Sequence, residues 1–286
     1  MRVQQFSTSI DFPLYSNEAN NRSGSDAALV IIGSSIYYPR CIDSALLPFR
    51  RILYLDLPHF TLPVNENSVA KISLTYYSEL IEKWRTELGL NKIVVLGHSH
   101  HGNVAFEYAR RFPRSVCGVV MICSPPANVR DTNLAQTDYW EKSASDERKR
   151  VLAQRRSEFE EVDLTAFSLQ EQYILAYVAD APLYWRKMHF DASMFWQNME
   201  FSMDGVNAFR RCFDNYKFEI DSVDRPILAL SGAYDYAVPP ILWDGFKPDR
   251  KNLYLHTFEN SGHTPSFEEP SEFERVIFDW MQYIGH

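Results

Sequence analysis

Residues 93–102 read Ile93-Val94-Val95-Leu96-Gly97-His98-Ser99-His100-His101-Gly102. Four aliphatic residues that run into glycine and polar residues predict a buried strand ending in a turn. Beyond the turn Val104, Ala105, Tyr108 and Phe112 recur at helical spacing until Pro113 stops the pattern. A strand that passes straight into a helix puts Ser99 in a tight, strained turn, with its hydroxyl above the sheet edge and free to attack. Small residues two before and two after such a serine make room for the turn. Gly97 takes the first place, but His101 takes the second and Gly102 comes one residue late. Alone the string carries little, since a polar turn ahead of a helix would read the same way.

Working outward, Ala28-Leu29-Val30-Ile31-Ile32 ending at Gly33, Ile52 to Asp56, Val119 to Ile122, Ile227 to Leu230 and Leu253 to Phe258 are further strand runs. Leu74, Tyr77, Leu80, Ile81, Trp84 and Leu88 predict a helix that Gly89 caps, and Phe273 to Ile284 predicts the last one. Residues 3–12 read as a strand and the polar stretch Ser16 to Asp26 as a turn or loop. Strands alternating with helices indicate an α/β fold with a mostly parallel sheet. Between Pro125 and Val223 the strand rhythm disappears and the chain reads as helical throughout. There Ser168-Leu169-Gln170-Glu171 is a capping box opening a helix that Pro182 closes, and Asp146 to Asp163 reads as a solvated helix face. The expected organisation is a core of residues 1–124 and 224–286 with a helical insertion of residues 125–223.

The chain has 286 residues, 45% hydrophobic and 23% charged, which excludes disordered and low-complexity classes. A net charge of −8 with no basic stretch argues against nucleic acid and against an anionic membrane surface as partners. The first residues carry no apolar run of signal-peptide length, and no window approaches the roughly 18 apolar residues of a membrane span. Four dispersed cysteines without a CxxC pair fit a reduced, cytoplasmic setting.

Two further stretches join Ser99. Ser231-Gly232-Ala233-Tyr234-Asp235 follows a buried strand, and Ser261-Gly262-His263 lies between the last strand and the last helix. Both would stand at the C-terminal sheet edge, where ligands bind in open α/β folds. The order Ser99, Asp235, His263 is nucleophile, acid, base. Asp131 is the fallback acid.

On these stretches, with Gly232-x-x-Asp235-x-x-Val238-Pro239 and Glu268-Glu269-Pro270, the sequence resembles the α/β-hydrolase family over essentially its whole length. It is most similar to proline-iminopeptidase-like and ester-hydrolase members with a helical cap. The resemblance implies that sheet fold, with residues 125–223 as a cap between two core strands. It makes Ser99 the nucleophile, His263 the general base and Asp235 its orienter. The oxyanion hole would use the backbone N–H groups of His100 and Ser34, with Ser35 as the alternative to Ser34. The His-Gly-Gly-Pro-Gly and Gly-Gly-Ser-Trp-Gly strings of true proline iminopeptidases are missing, and serine rather than aspartate at position 99 disfavours displacement at saturated carbon.

Chemistry and packing suggest the remaining contacts. His98, His100 and His101 lack the partners a hydrolytic metal site needs, so neither metal nor other cofactor is expected. Met188, Met194, Met199 and Met203 cluster with Trp185, Phe190, Phe195, Trp196 and Phe201, a composition suited to helix packing and to an apolar pocket. Substrate contacts are expected from Ser35, His98, Tyr184, Trp185, Met188, Phe195, Trp196, Met199 and Tyr236. The expected activity is hydrolysis of an ester, thioester or amide of a small molecule with an apolar or aromatic portion, through an acyl-enzyme. The alternatives are an acyl transferase or cyclase, an iminopeptidase-like amide hydrolase, and a non-enzymatic binding protein on the same fold.

Overall fold

Six apolar runs, five of them buried on both faces, satisfy their backbone groups by pairing side by side. In the computed structural model, which describes residues 2–6, 14–21, 24–60, 66–246 and 252–285, they do so in one eight-stranded sheet. Its strands are β1 (Arg2–Phe6), β2 (Leu14–Asn20), β3 (Ala28–Gly33), β4 (Arg51–Asp56), β5 (Ile93–His98), β6 (Val116–Ile122), β7 (Ile227–Gly232) and β8 (Leu253–Phe258). The spatial order is β1-β2-β4-β3-β5-β6-β7-β8, with every pairing from β4 to β8 parallel. Only β1 with β2 and β2 with β4 are antiparallel.

Helices α1 (Tyr38–Cys41), α2 (Glu66–Lys71), α3 (Leu74–Glu87) and α4 (His100–Arg111) precede β6. Helices α5 (Val129–Ser143), α6 (Asp146–Glu160), α7 (Leu169–Ala179), α8 (Ala181–Tyr184) and α9 (Met203–Arg211) lie between β6 and β7, and α10 (Pro265–Glu268) and α11 (Pro270–Tyr283) follow β8. Along β3 the side chains alternate between two cores. Val30 and Ile32 join Tyr77, Trp84, Val104 and Tyr108 of α3 and α4, while Leu29 and Ile31 join Phe273, Ile277 and Trp280 of α11. No helix among the described residues is long and apolar enough to cross a membrane.

Two expectations are corrected. The stretch Ser16 to Asp26 is not all loop, because β2 runs to Asn20. Its ladder bonds come from the backbone, and its polar side chains conceal it: Glu18 lies opposite Leu53 and reaches Arg51 at 2.6 Å. Of the strand expected at residues 3–12, β1 covers the part to Phe6, and residues 7–12 lie outside the described residues. The insertion is also not helical throughout. Between Trp185 and Ser202 only the 3-10 turn Ala192–Phe195 is helical. Trp185, Phe195, Trp196, Met199 and Phe201 are all buried there, more apolar surface than one helical stripe can present inward.

The insertion shares the core of the sheet. Trp185, Phe195 and Phe201 join the α11 side, whereas Ala208, Phe209 and Phe213 join the α3–α4 side, so the segment straddles the sheet. The capping box forms as expected, with Ser168 and Glu171 bonding each other's backbone N–H. Helix α6 is mostly solvated, but Arg148 is only 5% exposed. Its guanidinium donates to the carbonyls of Pro182, Trp185 and Arg186 at 2.7, 2.8 and 2.7 Å and lies over the rings of Tyr234 and Tyr236. One buried cation thus joins α6, the segment after α8 and the loop after β7. Arg148→Met should lower stability, at about 1–3 kcal/mol for each buried acceptor left unpaired. Denaturation midpoints of variant and parent check this, and equal midpoints would show that water replaces the guanidinium at no cost.

Candidate active site

Parallel strands deliver their C-terminal loops to one edge, and Ser34, Ser99, Asp235 and His263 all follow strand ends there. Ser99 has φ 55° and ψ −137°, a left-handed backbone that costs a non-glycine residue on the order of 1–3 kcal/mol. Its N–H donates to the Ile122 carbonyl at 2.7 Å, and its own carbonyl accepts from Gly102 N–H at 2.9 Å. A Cβ on Gly97 would run into the backbone of His101, and one on Gly102 into the Ser124 hydroxyl. That close approach explains the late glycine: the first turn of α4 touches its neighbours at position 102, and the side chain of residue 101 has room elsewhere. The Ser99 side chain is half-buried, and its hydroxyl has no hydrogen bond among the described residues.

Asp235 is fully buried. Its Oδ1 accepts from the N–H groups of Ala237 and Val238 at 3.0 and 2.8 Å, and its Oδ2 lies 2.7 Å from His263 Nδ1. A carboxylate at Nδ1 places the imidazole proton there and leaves Nε2 as the proton acceptor. The His263 loop is clamped in turn by carboxylates. Glu268 accepts from the N–H groups of Gly262 and Arg186 at 2.7 and 2.9 Å, and Glu269 accepts from Asn260 N–H and the Ser261 hydroxyl at 2.9 and 2.6 Å. This is the physical content of Glu268-Glu269-Pro270. The His263 N–H donates to the Tyr184 carbonyl at 2.6 Å, joining the loop to the insertion.

His98 does not offer its ring to a substrate. It is buried, and its Nε2 donates to the His263 carbonyl at 2.7 Å. The fallback acid Asp131 sits on the exposed first turn of α5, bonded to Asn128. Cys123, Asp235 and His263 bring three ligand-type atoms within 4.8 Å of one another. Burial, and then the charge of Asp235, push the Cys123 thiol up, while His263 Nδ1 is committed to Asp235, so this donor set suits hydrogen bonding better than a metal.

The Ser34 N–H and the His100 N–H form no hydrogen bonds among the described residues. Ser35 does neither of the things expected of it: its N–H and hydroxyl both go to Asp56, at 2.6 and 2.7 Å. Burial raises that carboxyl to about 6.

The expected lining residues divide. Tyr184 is half-buried with its ring centre 5.5 Å from that of His263, and Met199 Sδ lies 3.8 Å from the Ser34 hydroxyl. Trp196 packs against Tyr37 and Tyr177. Trp185 and Phe195 keep 1% and 0% of their surface, so they are core packing and have none left for a ligand. Tyr236 is buried against Tyr139 and Trp140. Met188 is half-buried and Met194 largely exposed. Tyr37, Tyr173 and Tyr177 were not anticipated, although the spacing of the last two on α7 puts them on one helix face.

Four histidines around Ser99 are held neutral by burial. His59 and His98 are pushed down to about 3 and His100 to about 4, and His101 is lowered as well. An unfolded histidine titrates near 6.5, so this stability is complete above pH 6.5 and lost as pH falls toward 4. Glu268, raised to about 7, and Asp56 act in the opposite direction but are fewer. Denaturant midpoints should therefore fall between pH 7 and pH 4.5. His100→Phe keeps the ring stacked on Phe213 and should flatten the slope by about 1.4 kcal/mol per pH unit, one proton's worth. An unchanged slope would mean that His100 titrates in the fold.

Known proteins give the comparison. A family model described as the alpha/beta hydrolase fold matches residues 32–270. The AB hydrolase superfamily protein YclE of Bacillus subtilis (strain 168) is 28% identical over 273 residues, covering 90% of this chain and 92% of its own. The solved proline iminopeptidase of Mycobacterium smegmatis superposes with a TM-score of 0.71 at 17% identity, over 99% of this chain and 98% of that one. The thermophilic esterase of Thermogutta terrifontis does so at 0.61 and 16%, over the full length of both. The sheet order, the strained turn at Ser99 and the match across residues 32–270 have one reading: this chain belongs to the alpha/beta hydrolase fold family and is a hydrolase.

Proposed function

We propose that the protein is a serine hydrolase that cleaves an ester, thioester or amide of a small molecule with an apolar or aromatic portion. The 2.7 Å bond from His263 to a buried Asp235, at the sheet edge that also carries the strained Ser99, is the observation that carries this reading. His263 Nε2 takes the Ser99 proton as the hydroxyl oxygen attacks the carbonyl carbon, and Asp235 stabilises the imidazolium that forms. The free N–H groups of His100 and Ser34 receive the developing oxyanion. When the tetrahedral intermediate collapses, His263 gives its proton to the departing alcohol, thiol or amine, leaving an acyl-Ser99. A water deprotonated by His263 then releases the acid and restores Ser99. No step needs a cofactor.

Residues 125–223 act as a cap. The supports are Tyr184 beside His263, Met199 against Ser34 and Trp196 within the same ring cluster. The solved relatives named above include an esterase and an iminopeptidase, both acyl-group hydrolases by name. The four cysteines are unpaired, which suits a reducing, cytoplasmic setting.

Fluorophosphonate labelling of the protein and turnover of nitrophenyl esters should both disappear in Ser99→Ala, with no loss of stability. Asp235→Asn should cost on the order of 10⁴ in kcat by inverting the histidine tautomer. Labelling or turnover that survives Ser99→Ala would remove the serine from the reaction.

A second pair of variants separates pocket from packing. Trp196→Ala should change the preference between a long and a short ester by about 10–200-fold while sparing the short one. Trp185→Ala should instead cost about 3–5 kcal/mol of stability and weaken both esters alike. Values of kcat/KM for both esters, read beside melting curves, check the division. Equal losses in Trp196→Ala would place that side chain in the packing too.

A further inference from the structure

Beneath the turn at Ser99 four buried side chains form a continuous hydrogen-bonded chain that the proposed chemistry does not use. The Tyr77 hydroxyl lies 2.9 Å from His59 Nδ1, His59 Nε2 lies 3.0 Å from His101 Nε2, and His101 Nδ1 lies 2.6 Å from the Tyr38 hydroxyl. All four residues are at most 7% exposed. They come from α3, the 3-10 turn at Pro58–Phe60, α4 and α1. Phe209 stacks on His59 at 4.2 Å and 8° and on His101 at 5.1 Å and 24°, closing the chain from outside.

Proton counting constrains it tightly. A neutral imidazole has one N–H, so the bond between the two Nε2 atoms needs one histidine to donate and the other to accept. That choice determines both ends. Either each group donates toward Tyr38, or each donates toward Tyr77. A proton added to one histidine turns the hydroxyl at one end from donor to acceptor, and a proton on both would set the two Nε2–H donors against each other. The four groups therefore act as a unit, and loss of one hydroxyl leaves a ring nitrogen unpaired in a water-poor interior.

The upper end of the chain meets the oxyanion loop. Gly33, at φ 136°, directly precedes Ser34, and a Cβ there would strike the Tyr38 ring and lie 3.0 Å from His101 Nδ1. The peptide that presents the Ser34 N–H thus rests on the Tyr38–His101 pair. His101 is also two residues from Ser99 on the first turn of α4. We infer that Tyr38, His101, His59 and Tyr77 are positioning residues that hold the Ser34 N–H in register with Ser99, an assignment that rests on the hydrolase reading above. The histidine that displaces the usual small residue after the serine is then the joint between the two halves of the oxyanion hole.

The test uses Tyr38→Phe, which keeps the ring and removes one hydrogen-bonding group, and His59→Phe, which keeps an aromatic ring and removes two. With a nitrophenyl ester, kcat should fall about 10- to 100-fold with KM within a factor of two. That is less than the 10²–10³ lost when an oxyanion donor is removed outright. The inhibition constant of an aryl trifluoromethyl ketone, whose hemiketal oxygen occupies the oxyanion hole, should rise by the same factor as kcat falls. A merely structural chain would lower the melting temperature and leave both quantities alone. Should either variant fail to fold, Tyr77→Phe, at the far end of the chain, should still lower kcat and ketone affinity together.

The two readings fail differently. A wild-type protein that neither reacts with fluorophosphonate nor hydrolyses esters would overturn the hydrolase reading and this inference with it. A wild-type protein that does both, with kcat and ketone affinity unchanged in Tyr38→Phe, His59→Phe and Tyr77→Phe, would overturn this inference alone.

Discussion

The chain changes from strand to helix at Ser99 within a single residue, and the rest of the site is built around that turn. Its left-handed backbone is held because the first turn of α4 lies directly on the end of β5, with no room for a Cβ at Gly97. The Ser99 N–H is bonded to Ile122 on the neighbouring strand, so the serine cannot relax without breaking a ladder contact. A strain of this size survives only where packing over-determines it. Here β5, at the centre of the sheet between β3 and β6, supplies that packing.

Around this point the protein uses polar side chains mainly as clamps on backbone. Glu268 and Glu269 hold the His263 loop, Asp235 holds the turn after β7, Asp56 holds Ser35, and Arg148 holds three carbonyls of the insertion. Asp235, Asp56 and Arg148 are buried, which is costly unless each is satisfied, and each of them is. Loops are otherwise the least rigid parts of an α/β fold. The carboxylates bonded to backbone N–H groups give these loops the order that a reaction at fixed distances requires.

The insertion extends the same logic across the sheet edge. It shares both hydrophobic cores, and its Tyr184 carbonyl receives the His263 N–H. The histidine is thus set by the core on one side and by the insertion on the other. A change in the insertion can therefore reach His263 through the backbone.

Local signals carried most of the fold. The five central strands, β3 to β7, are apolar runs because they are buried on both faces, and that burial is written into composition at each position. The order of Ser99, Asp235 and His263 was legible for the same reason, since each follows a recognisable strand. Polar β2 was not legible, because backbone pairing leaves no mark on side chains. Trp185 and Phe195 looked like pocket walls and proved to be core, since apolar composition cannot tell a lined cavity from a filled one. His98 and Ser35 looked free to meet a substrate and are bound to His263 and Asp56. Their partners lie far away along the chain, and only folding brings them together. By itself the sequence determined which residues must be buried and where the strands end, because those depend on neighbours along the chain. The tertiary structure alone decided which buried polar groups pair, because a hydrogen bond such as that between His59 and His101 depends on distance in space.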